Sequence, residues 1–296
     1  MSKGPRIILV VVLILIAASA ITMGLFNFLK KTQGITEGKP DQSITPHTED
    51  WAPYLTTIDG NKVGSILVDL GLRDVAPISS KPNRLRVDVS MNHPDENGLP
   101  IQTEFQALND IDEKLNSSLS TNVGATYAGH LYCQGVMSLY FFVGESTQLE
   151  TLLATAMASY PTYRYKYNVD AEETWKTYTD FLYPLPIQLQ SIHNQRVVAQ
   201  IEREGDNLSI KRPVQHIIFF KTEADLERFL NSIQDMGYTV IGKEDVNEGD
   251  FKVQLLIERT DSVELKSVDK YVLDLWQKAN DAGGEYDGWG SSIVKN

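Results

Sequence analysis

The chain has 296 residues, 42% hydrophobic and 22% charged, an ordinary globular composition with room for two domains. Its net charge of −12 repels phosphate backbones and argues against direct nucleic-acid binding. The single cysteine, Cys133, excludes an intrachain disulfide, so the soluble part depends on its own core.

Ile7–Leu29, IILVVVLILIAASAITMGLFNFL, is a run of 23 residues without a charge. As a helix it reaches about 34 Å, enough to cross a hydrocarbon core of about 30 Å with some tilt. Only a helix satisfies every backbone N–H and C=O within one such segment. Lys3, Arg6, Lys30 and Lys31 flank it, and taking those four cations away from the net charge of −12 leaves −16 for the remainder. That field favours a basic protein partner. Ala18-Ser19-Ala20 fits the small-x-small pattern of signal cleavage, but the apolar run continues to Leu29 instead of ending near the cut. The reading is a retained anchor: residues 1–31 form a tail and one transmembrane helix (7–29) in a bacterial inner membrane. The α-amine, Lys3 and Arg6 favour an N-terminus in the cytoplasm, with the bulk of the chain outside it.

Residues 32–50, TQGITEGKPDQSITPHTED, read as a flexible polar linker with His47 solvated. A first domain then spans 51–186. Val63–Leu70 and Arg84–Asn92 have strand-like β-branched content, and Asn97-Gly98 marks a turn. Thr103–Leu119 carries Phe105, Leu108, Ile111, Leu115 and Leu119 at helical spacing. Thr126–Cys133 and Val136–Val143 straddle Gln134-Gly135 as a hairpin, with Cys133 a small buried strand residue. Gln148–Ser159 is a helix and Tyr160–Tyr167 a strand. Asp170 caps a third helix that turns Trp175, Tyr178 and Leu182 inward, and Tyr183-Pro184-Leu185-Pro186 ends it. The order β-β-α-β-β-α-β-α implies helices on a largely antiparallel sheet.

A helical connector, 187–204, leads to a second domain at 205–296. Val214–Phe220 is a strand, and Thr222 opens a helix bearing Leu226, Phe229, Leu230 and Ile233 that Gly237 stops. Tyr238–Gly242 and Phe251–Glu258 are strands around an acidic turn, Glu244–Asp250. Glu264–Ala282 is an amphipathic helix with a left-handed cap at Gly283-Gly284, and Tyr286–Val294 adds a last strand. The order β-α-β-β-α-β predicts a ferredoxin-like arrangement. The fold class is thus α+β: one transmembrane helix, then two sandwich domains with largely antiparallel sheets.

No reactive constellation stands out. The sequence lacks the phosphate-binding, dinucleotide-binding and nucleophile-elbow glycine patterns, and His93, His130 and His193 share no ligand spacing. No metal or cofactor is implied. Tyr163-Arg164-Tyr165-Lys166-Tyr167 alternates rings and cations as some nucleic-acid-binding strands do. In a segment, Thr32–Pro186, with 10 basic and 20 acidic residues, it reads instead as an amphipathic strand packed on helices. His216, between apolar residues, reads as a core histidine hydrogen-bonded within the fold. Glu285-Tyr286-Asp287-Gly288-Trp289 places two acids beside aromatics. Glu285 and Asp287 share one side of a strand by alternation; the string reads as structural closure of the sheet, as an interface that takes a partner's Arg or Lys with Tyr286 and Trp289 as aromatic anchors, or as an acid/base pair with one pKa raised near Trp289.

From about Glu204 onward the chain resembles the regulator of ribonuclease E activity B family. The resemblance rests on Gly205-Asp206, Arg212-Pro213, His216 with Phe219-Phe220, Phe229, Gly237-Tyr238 and the string Gly283–Gly290. From about Trp51 to Pro186 it is similar to bacterial domain of unknown function 695, through Trp51, Tyr54, Asn97–Pro100, Trp175, Tyr178 and Phe181–Pro184. The first resemblance implies a ferredoxin-like domain whose founding member inhibits an RNA-degrading endonuclease by protein binding, without catalytic residues. The second implies no chemistry. The expected function is a membrane-anchored, non-enzymatic regulator that binds a protein through Glu285, Tyr286, Asp287 and Trp289. The rivals are a hydrolase or small-molecule enzyme with its site between the domains, and a structural envelope protein.

Overall fold

A computed structural model describes residues 47–145 and 147–295. The expected transmembrane helix and most of the expected linker lie outside the described residues, among which no helix is long and apolar enough to cross a membrane. Chain contacts divide the protein into two compact units that meet in sequence between Gln188 and Leu189.

The first unit is built on a six-stranded antiparallel sheet, in the order β1-β2-β4-β5-β3-β6. Its strands are β1 (Trp51–Ile58), β2 (Lys62–Asp69), β3 (Asn83–Ser90), β4 (Thr126–Cys133), β5 (Val136–Val143) and β6 (Tyr165–Ala171). Helices α1 (Gln102–Val123) and α2 (Leu149–Met157) pack against one face. Alternation along β3 sends Leu85, Val87 and Val89 to meet Leu108, Ile111, Leu115 and Leu119 of α1. Each such fully buried Leu or Val contributes roughly 1.5–3 kcal/mol. The β4–β5 hairpin closes as expected through Gln134 (φ 52°) and Gly135 (φ 74°), the paired positive angles of the tight turn whose twist suits antiparallel strands.

Several details depart from the expected pattern. β1 is hidden in the sequence because Pro53 interrupts it. At the sheet edge the missing N–H of Pro53 costs no ladder bond, so the strand forms. The strand expected at Tyr160–Tyr167 starts at Tyr165, and Asp170 belongs to it instead of capping a helix. Asp170 is drawn to Arg84 on the neighbouring strand β3. In place of the expected third helix stands one wide π-helical turn, Thr177–Leu182, yet Trp175, Tyr178 and Leu182 are still fully buried. They cover the second face of the sheet: Trp175 stacks on Phe142 with centroids 3.9 Å apart, and Tyr54 donates to the Leu182 carbonyl at 2.9 Å. His47 is not simply solvated, because its Nε2 lies 2.8 Å from Asp69 Oδ2. Phe105 points outward at 42% exposure, and Cys133 is half-buried rather than buried.

The second unit has a four-stranded antiparallel sheet, in the order β10-β7-β9-β8. The strands are β7 (Arg212–Phe220), β8 (Thr239–Glu248), β9 (Phe251–Asp261) and β10 (Gly284–Ser291). The polar helix α3 (Pro186–Arg203) does more than connect, since Val198 and Ile201 are buried in the second core. Helices α4 (Glu223–Ile233) and α5 (Leu265–Asp281) complete the β-α-β-β-α-β order read from the sequence. Thr222 opens α4 through a reciprocal capping box with Asp225. The acidic stretch Glu244–Asp250 is largely strand. β8 extends to Glu248, and the reversal is confined to Gly249 and Asp250.

Candidate functional site

In β7 and β9 every second residue is buried. Val214, Ile218, Phe220, Val253, Leu255 and Ile257 join the core beneath α4 and α5. The intervening residues form the opposite face, where Gln215 stands across from Glu258, Ile217 from Leu256 and Phe219 from Gln254. Ile217, Phe219 and Leu256 are half-buried, so this face has an apolar centre within a polar border. Glu285 of β10 pairs with Phe219 at the same end of the sheet.

The C-terminal acidic–aromatic string is split by one irregularity. Tyr286 opposes Ile218 while Gly288 opposes Ile217, so Asp287 is an extra residue in the strand, a β-bulge. The bulge keeps Tyr286 and Trp289 on the helix side despite their odd spacing. Tyr286 is 5% exposed, and its hydroxyl lies 2.7 Å from His216 Nδ1. This corrects the expectation of a surface anchor: Tyr286 belongs to the core. Trp289 is half-buried, and its indole N–H donates to Asn194 Oδ1 at 3.0 Å, bracing β10 against α3. Asn194 in turn donates to Asp269 on α5 at 2.8 Å.

Glu285 and Asp287 are therefore the ionisable groups of the string, both half-buried. Burial pushes the Glu285 carboxyl above its ordinary range, with Asp287 and Glu248 adding repulsion and Lys221 opposing them. Asp287 is raised by burial and then by Glu248. Burial first, and the like charge of Glu248 second, thus disfavour the ionised forms of Glu285 and Asp287, and a cation from outside would favour them.

His216 has the environment expected of a core histidine. It is fully buried, with its ring edge-on to Tyr238 and Tyr271 and its Nε2 without a hydrogen-bond partner among the described residues. Burial, reinforced by the Arg259 charge, lowers it from 6.5 to about 3, so it stays neutral. Arg212 and Asp206 form a buried pair at 2.5 Å, and Asp206 also accepts from the Val294 N–H at 2.7 Å. Gly284 lies so close to the Phe220 ring that a Cβ there would sit 2.5 Å from it. These positions of the sequence string therefore build the domain rather than present a reactive group.

One cluster escapes a reading of the sequence. In the first unit Asp112 of α1 accepts from the Tyr127 hydroxyl at 2.6 Å and lies 2.5 Å from His130 Nδ1. Plain alternation would set Tyr127 and His130 on opposite faces. A bulge between Tyr127 and Gly129 puts both on the helix side. The helical spacing that marks α1 does place Asp112 next to Ile111 and Leu115 on its inner side, a buried acid in need of partners. The expected packing of the rings holds in part: Tyr163, which precedes β6, and Tyr165 pack on the helix-side core, while Tyr167, on the same face by register with Val87, is 40% exposed. Among the described residues no group of three or more His, Cys, Asp or Glu could hold a metal ion.

Fold and site define a chain of two α+β units, the second presenting an acid-bordered sheet face and edge suited to binding. Residues 191–291 match the family described as regulator of ribonuclease activity B, and residues 49–183 match a family of unknown function, DUF695. The two matches lie end to end and leave only a short stretch of α3 and its approach between them. No curated protein matches the chain. One solved structure with a likeness is an unknown protein from Galdieria sulphuraria, 9% identical over 72% of this chain and 99% of that one, with a TM-score of 0.20. At that score the likeness defines neither fold nor function.

Proposed function

We propose that the protein is a membrane-tethered, non-catalytic regulator whose second domain binds a protein partner through β10 and the sheet face turned away from α4 and α5. The tether is Ile7–Leu29 in a bacterial inner membrane, with the soluble bulk outside the cytoplasm. The observation that carries the binding role is the carboxylate group of Glu248, Glu285 and Asp287, beside Phe219 and Ile217, in a segment that matches a family of regulators. Half-buried acids at raised pKa are held at a cost, and an arriving Arg or Lys offsets it by a charge-assisted contact. The partner chemistry is a basic segment with apolar residues between its cations. The matched family's name points to a ribonuclease, which the proposed orientation puts out of reach across the membrane, so the partner is defined by this chemistry alone.

The test is crosslinking in intact cells with the full chain and a Glu285→Lys/Asp287→Lys variant. Both side chains lie outside the hydrophobic core, so the variant folds, which its melting temperature checks. Loss of a specific crosslinked protein supports the site. A folded variant that keeps every crosslinked partner overturns it. Protease access to the soluble part in spheroplasts decides the compartment: protection would place that part in the cytoplasm and overturn the proposed orientation.

A further inference from the structure

The second face of the first sheet is filled at one end by Trp175, Tyr178 and Leu182 and left hollow at the other. The hollow is a cavity of about 500 Å³. That size falls among small-molecule sites, which span roughly 300–1,000 Å³. Its two sides differ in kind. Ile58, Leu131 and Val136 make an apolar wall, while β3 and the approach to β6 supply Arg86, Asp88, Arg164 and Lys166.

The charges in the cavity do not cancel. Asp88 is already compensated: its Oδ1 accepts from Arg86 Nε at 2.6 Å and from the Ser138 hydroxyl at 2.7 Å. Asp59, at the rim, pairs with Lys62 at 3.0 Å. Lys166 makes a long ion pair with the second oxygen of Asp88 at 3.8 Å, without a direct hydrogen bond. Of the described residues none forms an ion pair with the Arg164 guanidinium. The lining thus carries three cations against two carboxylates, with Arg164 the cation left without an ion pair among the described residues, a local reversal of sign in a chain of net charge −12. Concave walls of low dielectric focus such a field. Arg86 is held rigidly by Asp88 and Ser138, with its guanidinium 5.9 Å from the Tyr140 ring centroid, so one of the three cations is preorganised.

We propose that this cavity binds a small amphiphilic anion, its carboxylate or phosphate oxygens held by Arg164 and Lys166 over the fixed Arg86 and its short apolar body against Ile58, Leu131 and Val136. The site lies in the segment that matches the family of unknown function, and it is independent of the partner surface on the second domain.

Cys133 lines the cavity and is the chain's only cysteine, so it reports on occupancy without any assay of activity. The experiment measures the alkylation rate of Cys133 by N-ethylmaleimide in the full chain, with butyrate or monobutyl phosphate added. Chloride at matched ionic strength is the control, because screening alone alters surface charges. Amide resonances of Ser138 and Gln134 are followed in parallel, so a ligand that leaves the thiol open is still seen. The expected result is saturable protection or saturable shifts with one of the two anions, at millimolar concentration or below. The responding anion identifies the oxygen chemistry as carboxylate or phosphate. Arg164→Ala/Lys166→Ala, two exposed side chains whose loss leaves the core intact, raises the half-saturation concentration about tenfold or more. Absence of any saturable response beyond chloride in both readouts overturns the proposal. So does a folded double variant with an unchanged half-saturation point.

Discussion

His216 makes the stability of the second domain sensitive to acid by an amount that can be worked out. Its ring is fully buried and neutral, shifted from 6.5 to about 3 by burial and the Arg259 charge. Because the folded-state value is depressed, the unfolded chain takes up a proton near pH 6.5 while the folded chain does not. Stability is therefore complete above pH 6.5 and declines as pH falls, at about 1.4 kcal/mol per unit, until the folded state also protonates near pH 3. The whole interval is worth roughly 5 kcal/mol, a large share of the 5–15 kcal/mol that holds a typical domain. Raised acids such as Glu285 and Asp287 act with the opposite sign in the acid range, so the histidine is isolated by difference. The variant is His216→Leu/Tyr286→Phe, which removes both partners of the 2.7 Å hydrogen bond and leaves neither orphaned. Urea unfolding read by hydrogen exchange of the Ile218 and Ile257 amides, between pH 7.5 and 4, gives the slopes. The wild type loses stability more steeply than the variant, with the gap opening below pH 6.5. Parallel slopes, or an NMR titration of His216 with a midpoint near 6.5, would refute the reasoning.

The same geometry has other measurable consequences. Glu285→Gln/Asp287→Asn removes two half-buried charges disfavoured by burial and then by the charge of Glu248, so it raises stability at pH 7 by a few tenths to about 1 kcal/mol by chemical denaturation. Since both folded-state values are raised, the native acids recover stability as pH falls and they protonate, and the advantage of the variant shrinks there. Arg212→Met leaves Asp206 buried and unpaired at the C-terminal end of the sheet, and costs about 3–5 kcal/mol in the same measurement. Asp112→Ala leaves the Tyr127 hydroxyl and His130 Nδ1, 3.0 Å apart, with only each other, lowering first-domain stability by about 1–3 kcal/mol, whereas Glu113→Ala at the exposed neighbouring position changes it by less than about 0.5 kcal/mol.

Much of the second domain is legible in the sequence because its signals are local. Thr222 and Asp225 cap α4 through neighbours three residues apart, and Gly283 takes a left-handed angle at the end of α5. Helical spacing places Val268, Val272, Leu275 and Ala279 inward, and all four are fully buried. Where a non-local contact outweighs local preference, the pattern misleads. Asp170 looks like a helix cap, but Arg84, 86 residues earlier in the chain, holds it in a strand. Tyr286 and Trp289 look like paired surface aromatics, but the bulge at Asp287 turns Tyr286 onto His216 and delivers the indole of Trp289 to Asn194.

Composition and periodicity thus determined the two α+β units, the element order of the second and the acidic character of the chain. Those properties depend on which residues stand next to one another. Tertiary structure alone decided which acids share a field, which aromatic is spare and where cations collect. These depend on strand register, and a single extra residue in β4 or β10 reassigns every side chain beyond it to the other face.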